Sequence, residues 1–341
     1  MSGLVDLFSD THTLPTDAMR RAMAEAEVGD EQLGEDPTTN RLQAMVADLL
    51  GTEAALFIPT GSMCNKVGVA ALTRPGDAVV CDAMAHVLRF EGGGAVAISG
   101  VVFEPLETER GWFTPDRLDE VPVGGNVYQP RSALVCLENT HNFAGGTVWP
   151  IDVYEAVTAR ARERGSAVFT DGARLLNAVA ASGVPAQRWA APVDGIWIDL
   201  SKALGCPGGA VLAGSAAFLE EANRWKYLLG GAMRQSGILA AAGVYALEHH
   251  VDRIVDDHAN ARRLADGLAD AGYGVEEPET NMVFFDPAPV GLSLDDAVTG
   301  LADAGVRVVV LAGRIRATTH LGVSEADIDR AVGAARALAE G

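Results

Sequence analysis

The strongest constraint on this chain is an alternation of two patterns. Short apolar runs occur at Ala54–Pro59, Ala78–Cys81, Ala133–Leu137, Ala167–Thr170, Gly195–Leu200 and Ala210–Ala213, each bounded by Gly, Pro, Asp or Asn. Amphipathic helical stretches, such as Pro37–Leu50 and Tyr154–Arg164, lie between several of them. Runs that are apolar on both sides read as strands buried on both faces of a sheet. Strands alternating with helices predict an α/β fold around a mainly parallel sheet. After about residue 245 the pattern changes. A helix is predicted over Asp252–Ala271, a strand over Asn281–Phe285, a helix over Leu294–Ala304 and a strand over Val306–Leu311. A last helix opens with the capping-box pattern Ser324-Glu-Ala-Asp327. The chain thus divides into an N-terminal segment and large domain, residues 1–245, and a small C-terminal α+β domain, residues 246–341.

Composition narrows the function. Among 341 residues, Lys+Arg is 26 and Asp+Glu is 46, a net charge of −20. Such a surface repels nucleic acid and anionic membrane, so neither is expected as a partner. No apolar run approaches the roughly 18 residues a membrane span needs, and the first nineteen residues hold no Lys or Arg for a secretory leader. Cys64, Cys81, Cys136 and Cys206 form no CxxC and read as buried, reduced thiols of a cytoplasmic protein. The seven histidines lack HExxH spacing, so no metal site is expected.

Only three basic residues are lysines: Lys66, Lys202 and Lys226. Lys202 follows the apolar run Gly195–Leu200 and precedes a Gly/Pro turn. A lysine there is either a desolvated amine able to attack an aldehyde or one that snorkels to solvent. Lys66 is expected beside the helix after Ile58, and Lys226 has no clear role. Val168–Asp171 ends an apolar run in an acid, followed by Gly172 and Arg174. Asp171 could bond a protonated ring nitrogen, and Arg174 could clamp a carboxylate in bidentate fashion. A helix-capping Asp beside an exposed Arg is the alternative. Thr60-Gly-Ser62, between a strand and a helix, could cradle an anion through backbone N–H groups, two hydroxyls and the helix dipole.

A phosphate cradle, a ring-nitrogen acid and an aldehyde-reactive lysine, in that order, resemble the threonine aldolase family of pyridoxal phosphate (PLP) enzymes. The resemblance runs from about Asp6 to the end. It rests on Ser9-Asp-Thr, Val28-Gly-Asp, Gly34-Glu-Asp-Pro-Thr38, Glu138-Asn-Thr-His-Asn142, Asp171-Gly-Ala-Arg174, Ser201-Lys202, Met233-Arg-Gln235 and Arg316 through His320. It implies PLP fold type I, with a seven-stranded sheet in the large domain. It also implies PLP on Lys202 as a Schiff base, Asp171 on the pyridine nitrogen, Gly61 and Ser62 on the phosphate, and His86 stacked on the ring. His141 would help remove the substrate hydroxyl proton. Ser9, Arg174 and Arg316 would hold the substrate carboxylate. Arg234 would reach a neighbouring subunit's cofactor, implying a homodimer or homotetramer with shared active sites. Glu91 stands where the family often has an acid, without a firm role.

The reaction so implied is cleavage of L-threonine, L-allo-threonine or a related β-hydroxy-α-amino acid to glycine and an aldehyde. β-Elimination, racemisation or transaldol transfer are alternatives. A PLP-fold protein that only binds is disfavoured by Lys202, Asp171 and Arg174, and a dinucleotide oxidoreductase by the missing glycine fingerprint. The family usually has Arg at Phe8, Tyr at Leu33, His at Phe169, an apolar residue at His12, and Gly after the lysine where Ala203 stands. Leu33 and His12 are expected to reshape the mouth of the site, favouring substrates other than threonine. His249 and His250 are expected on the surface and His320 in a structural role.

Overall fold

The fold is described from a computed structural model covering residues 3–341 except Gly125. Seven strands form the main sheet in the spatial order Ala54–Ile58, Ala210–Gly214, Gly195–Asp199, Ala167–Asp171, Ser132–Glu138, Ala78–Asp82, Val102–Leu106. All run parallel except Ala210–Gly214, which is antiparallel to both neighbours. The predicted runs are all strands. The edge strand Val102–Leu106 was not foreseen, because Glu104 and Pro105 interrupt its apolar character. Proline is tolerated at an edge, where one side of the backbone needs no partner.

Helices cover both faces, as a doubly buried sheet demands. Pro37–Leu50, Ile151–Glu163 and Gly237–His249 pack on one side, where Leu42, Val46, Tyr154, Val157 and Ala242 join one core. Gly61–Leu72 and Ala216–Leu228 pack on the other through Cys64, Val67, Phe218 and Ala222. Pro37–Leu50 has the predicted bounds. The Asp36 side chain caps its start and Gly51, in the left-handed region, ends it.

The C-terminal residues build a four-stranded antiparallel sheet in the order Val309–Leu311, Arg314–Thr318, Met282–Asp286, Gly274–Val275. The predicted strand Val306–Leu311 is in fact two. Val306–Arg307 pairs in parallel with Val5–Asp6, and Val309–Leu311 turns back onto Arg314–Thr318. The turn is Ala312-Gly313, with φ of 50° and 75°, the conformation of a tight two-residue hairpin. Val5 and Leu7 pack in the C-terminal core with Leu264, Phe285 and Ile328. The Ser324/Asp327 capping box forms as expected. His250 corrects the surface expectation: it is buried, with Nδ1 2.7 Å from the Leu204 carbonyl oxygen. No helix among the described residues is long and apolar enough to cross a membrane.

This topology positions the site. Six parallel strands end on one edge of the sheet, at Ile58, Asp82, Leu106, Glu138, Asp171 and Asp199. Ligands of open α/β sheets bind beyond such carboxyl ends.

Candidate active site

A cleft of about 260 Å3 opens at that edge. Its lining includes Thr11, Gly61, Ser62, His86, Glu138, Asn142, Asp171, Arg174, Asp199 and Lys202. A larger cavity of about 600 Å3 lies elsewhere, between Arg110 and Glu276–Glu279, and holds none of the predicted site residues.

The helix Gly61–Leu72 aims its N-terminus at the cleft, capped by Thr60, whose Oγ1 accepts the Met63 N–H. The first N–H groups of a helix lack intrahelical partners and favour an anion. Gly61 is required by packing: a Cβ there would lie 2.5 Å from the Trp197 ring and 3.1 Å from Asp199 Oδ2.

One turn on, Asn65 organises the acids. Its Nδ2 donates to Asp171 Oδ2 and to Glu91 Oε1, both at 2.7 Å, and its Oδ1 accepts the Trp197 indole N–H at 2.8 Å. Asp171 also accepts the Ala173 N–H, so it caps a turn rather than a helix. Burial, with the charge of Glu138 adding to it, pushes the Asp171 carboxyl up to about 6. His86 Nδ1 lies 2.9 Å from Glu91 Oε1. Burial alone would lower its pKa, but Glu91 and the nearby acids raise it. His86, Glu91 and Asp171 approach within 4.8 Å of one another. Both carboxylates are already engaged by the Asn65 amide.

Lys202 reaches the cleft with Nζ 3.1 Å from Asp199 Oδ2 and 5.9 Å above the Trp197 ring. Its side chain is 16% exposed, and Asp199 is a partner that the sequence reading lacked. The Lys202 carbonyl accepts Thr13 Oγ1–H, tying the N-terminal segment to the lysine turn.

Arg174 is buried and doubly bound to Asp10: Nε to Oδ2 and Nη2 to Oδ1, each 2.7 Å. The alternative of an exposed arginine is thereby excluded. Asp10 is fully buried and also receives Asn281 Nδ2. Arg174 holds its carboxyl well below the usual range against the upward push of burial. Ser9 is buried beside it and caps the turn Asp10–His12. Arg316 lies behind Asn142, off the lining, with Nη2 donating to the Phe8 carbonyl. Burial, and then the charge of Arg174, push Arg316 down to about 10.

Four predicted residues lie off the cleft lining: Ser9 and Arg316, which sit beside residues of the arginine cluster, and His141 and Arg234. His141 is buried off the cleft, with Nδ1 accepting the Ala144 N–H and Nε2 3.0 Å from Asp82 Oδ1. Arg234 is 62% exposed at its side chain and paired with Asp30, away from the cleft. His12 bonds Asp6 and stacks on Phe8 with ring centroids 4.8 Å apart; it does not line the cleft, whereas its neighbour Thr11 does. Leu33 is exposed, and Phe169 is buried in the core. Lys226 is buried and paired with Glu31; burial pushes its amine down to about 8. His320 is buried, its Nε2 3.0 Å from the Asp6 carbonyl.

Sequence reasoning missed Asp10, Asn65, Glu138, Asn142 and Asp199 as site residues. Asp10 lies in Ser9-Asp-Thr, and Glu138 and Asn142 bound Glu138-Asn-Thr-His-Asn142, so membership of a family motif was the available signal. Glu138 Oε2 accepts the His86 N–H and Oε1 the Asn142 N–H, joining two loops of the cleft.

Comparison with known proteins places the chain in a family and a fold. Residues 6–289 match the beta-eliminating lyase family. The chain is 38% identical over 334 residues to the probable low-specificity L-threonine aldolase 2 of Arabidopsis thaliana, covering 95% of this chain and 94% of the relative. It is 39% identical over 324 residues to the low-specificity L-threonine aldolase of Escherichia coli (strain K12), covering 94% and 95%. The solved threonine aldolase of Leishmania major superposes with a TM-score of 0.85 at 20% identity, covering 98% of this chain and 99% of that one, which establishes the shared type I fold. The chain is a member of the threonine aldolase family, within the beta-eliminating lyases.

Proposed function

We propose that this chain is a PLP-dependent aldolase that cleaves L-threonine, L-allo-threonine and related β-hydroxy-α-amino acids to glycine and an aldehyde. The carrying observation is the meeting, at one sheet edge, of Lys202, Asp171, the Gly61 helix N-terminus and the buried Arg174.

The residues fit the cofactor. Asp171 is a buried carboxylate with two hydrogen-bond donors and no ion pair among the described residues, which suits a protonated pyridine nitrogen. Gly61 and Ser62 would hold the phosphate, Lys202 the aldehyde carbon, and His86 one face of the ring. When bound, PLP supplies the electron sink for cleavage of the Cα–Cβ bond. The chain does the rest. Arg174, with Arg316 and Ser9, fixes the substrate carboxylate, and so the orientation of the bond to be broken. His86, whose basicity Glu91 raises, is the imidazole on the cleft lining and the group suited to take the hydroxyl proton. His141, off the lining, orients the loop that carries Asn142.

The same reading makes the protein a homodimer or homotetramer, with Arg234 reaching a neighbouring subunit's site. The exposure of Arg234, Leu14, Leu33, Tyr227 and Leu228 supports it. Four buried, unpaired cysteines support a cytoplasmic location.

The test is aldehyde release from L-threonine, L-allo-threonine and L-phenylserine in parallel. Aldehyde and glycine should appear with wild type and be absent with Lys202→Ala. His86→Asn should lose far more rate than His141→Asn. A PLP-loaded wild type that releases no aldehyde from any of the three would overturn the aldolase reading.

A further inference from the structure

Two guanidinium groups converge on one amide oxygen. Asn142 Oδ1 accepts from Arg316 Nη1 at 3.0 Å and from Arg174 Nη1 at 3.4 Å. Both arginines are buried. Asp10 spends both oxygens on Arg174. Arg316 donates to the Phe8 carbonyl and to the Asn142 amide oxygen, and its buried Nε has no partner among the described residues. Among the described residues, the pair therefore carries one positive charge with no carboxylate bonded to it. An amide dipole is a weak reply to such a charge, and a carboxylate is a strong one. Asn142 lines the cleft, and Arg316 lies behind it.

We propose that Asn142 is a displaceable latch: its amide oxygen stands where one oxygen of the substrate carboxylate binds, and rotation of its side chain opens Arg316 to the cleft. The inference rests on the aldolase reading, since it takes an α-amino acid as the ligand. The Asn142 backbone N–H donates to Glu138 Oε1 at 2.8 Å, which anchors the main chain while the side chain turns. A neutral latch yields to a carboxylate. It does not yield to a ligand lacking one, so an amino alcohol cannot replace it. Asn142 thereby acts through the two arginines: in the empty site its amide oxygen occupies their N–H groups, and it gives them up to the substrate carboxylate.

The experiment uses the PLP-loaded full chain with glycine as probe, its Kd read by calorimetry, together with KM and kcat for L-threonine. Asn142→Asp supplies a latch that does not let go. Glycine Kd and threonine KM should rise by about tenfold or more, the worth of one charged hydrogen bond, with the loss falling on KM rather than kcat. Asn142→Ala removes the competitor and should lower glycine Kd by roughly two- to fivefold, a fraction of that hydrogen bond. Wild-type Kd in Asn142→Asp would overturn the latch. So would a KM in Asn142→Ala raised as much as in Asn142→Asp, which would make the amide a direct ligand. If Asn142→Asp does not fold, as its melting temperature and cofactor absorbance would reveal, the direction of the Asn142→Ala shift decides. A wild type that neither binds glycine nor releases aldehyde would refute the aldolase reading itself. Wild-type binding with unaltered variants would refute the latch alone.

Discussion

Both carboxylate oxygens of Asp10 are held by Arg174, at 2.7 Å each, although 164 positions separate the two residues. The pair joins the N-terminal segment to the end of the central strand Ala167–Asp171. It also fixes the plane of Arg174, leaving Nη1 to face Asn142 and the cleft. An arginine offered to a substrate in this way is pre-oriented, because the fold has already fixed its rotamer.

Removing one partner of such a pair strands the other charge in the interior. Asp10→Asn should destabilise the protein by about 3–5 kcal/mol, read from urea unfolding, and raise KM for L-threonine. The pH dependence has a definite sign. The folded-state pKa of Asp10 is depressed, so its contribution is present above the ordinary carboxylate pKa and fades as pH falls toward the lower folded value. Asp10→Asn should lack that part of the acid loss. Equal stability of the two proteins at pH 7 would contradict the assignment.

Much of the fold and part of the site were legible in the chain. The sheet strands were marked by apolar runs, and Lys202, Asp171 and Gly61 by standing where such runs break into polar or Gly-rich turns. Asp10, Asn65 and Asn142 carried no comparable mark. Their roles come from partners distant in sequence, as with Asn65 and Asp171, 106 positions apart. His141 and His250 failed differently, because imidazoles in loops and at helix ends look alike whether buried or exposed. Val306–Leu311 misled because its apolar pattern crosses a point where the chain changes sheets.

Asn65 should matter to the cofactor as much as to the fold. Its amide donates to the ionised form of Asp171 and so opposes the upward push of burial. Asn65→Ala should raise the Asp171 pKa further and weaken PLP binding by roughly tenfold, the worth of one hydrogen bond to a charged group. It also leaves Glu91 and the Trp197 indole without that partner. Cofactor fluorescence titration at neutral pH checks this, and wild-type affinity would remove Asn65 from the site.

Gly61 tests the cradle. A methyl group there meets the Trp197 ring at 2.5 Å, beneath the helix N-terminus that faces the cleft. Gly61→Ala should cost about 1–3 kcal/mol of stability through overpacking. It should also reduce PLP affinity by roughly tenfold or more, since about 1.4 kcal/mol lost in phosphate contacts has that effect. Inorganic phosphate, which needs the cradle alone, should lose affinity in parallel. A variant that binds phosphate and PLP like wild type would show that the phosphate lies elsewhere.

His258 offers a pH prediction away from the cleft. It is buried on the helix Ile254–Asp270, with Nε2 3.2 Å from the Asn177 amide nitrogen, which makes it an acceptor and a neutral ring. Burial, helped by the charge of Arg262, pushes its pKa down to about 4. The unfolded chain takes up a proton near the ordinary histidine value, while the folded chain resists until about pH 4. Stability is therefore lost as pH falls through that window, by an amount on the order of 3 kcal/mol. Asp171 and Asp257, pushed up to about 6 by burial, work in the opposite direction there, because the folded protein takes up their protons first. The clean comparison is thus between variants. His258→Gln keeps an acceptor for Asn177 and cannot charge. Its melting temperature should fall less than that of wild type between pH 6.5 and pH 4. Parallel curves would show that His258 charges at its ordinary pH in the folded protein.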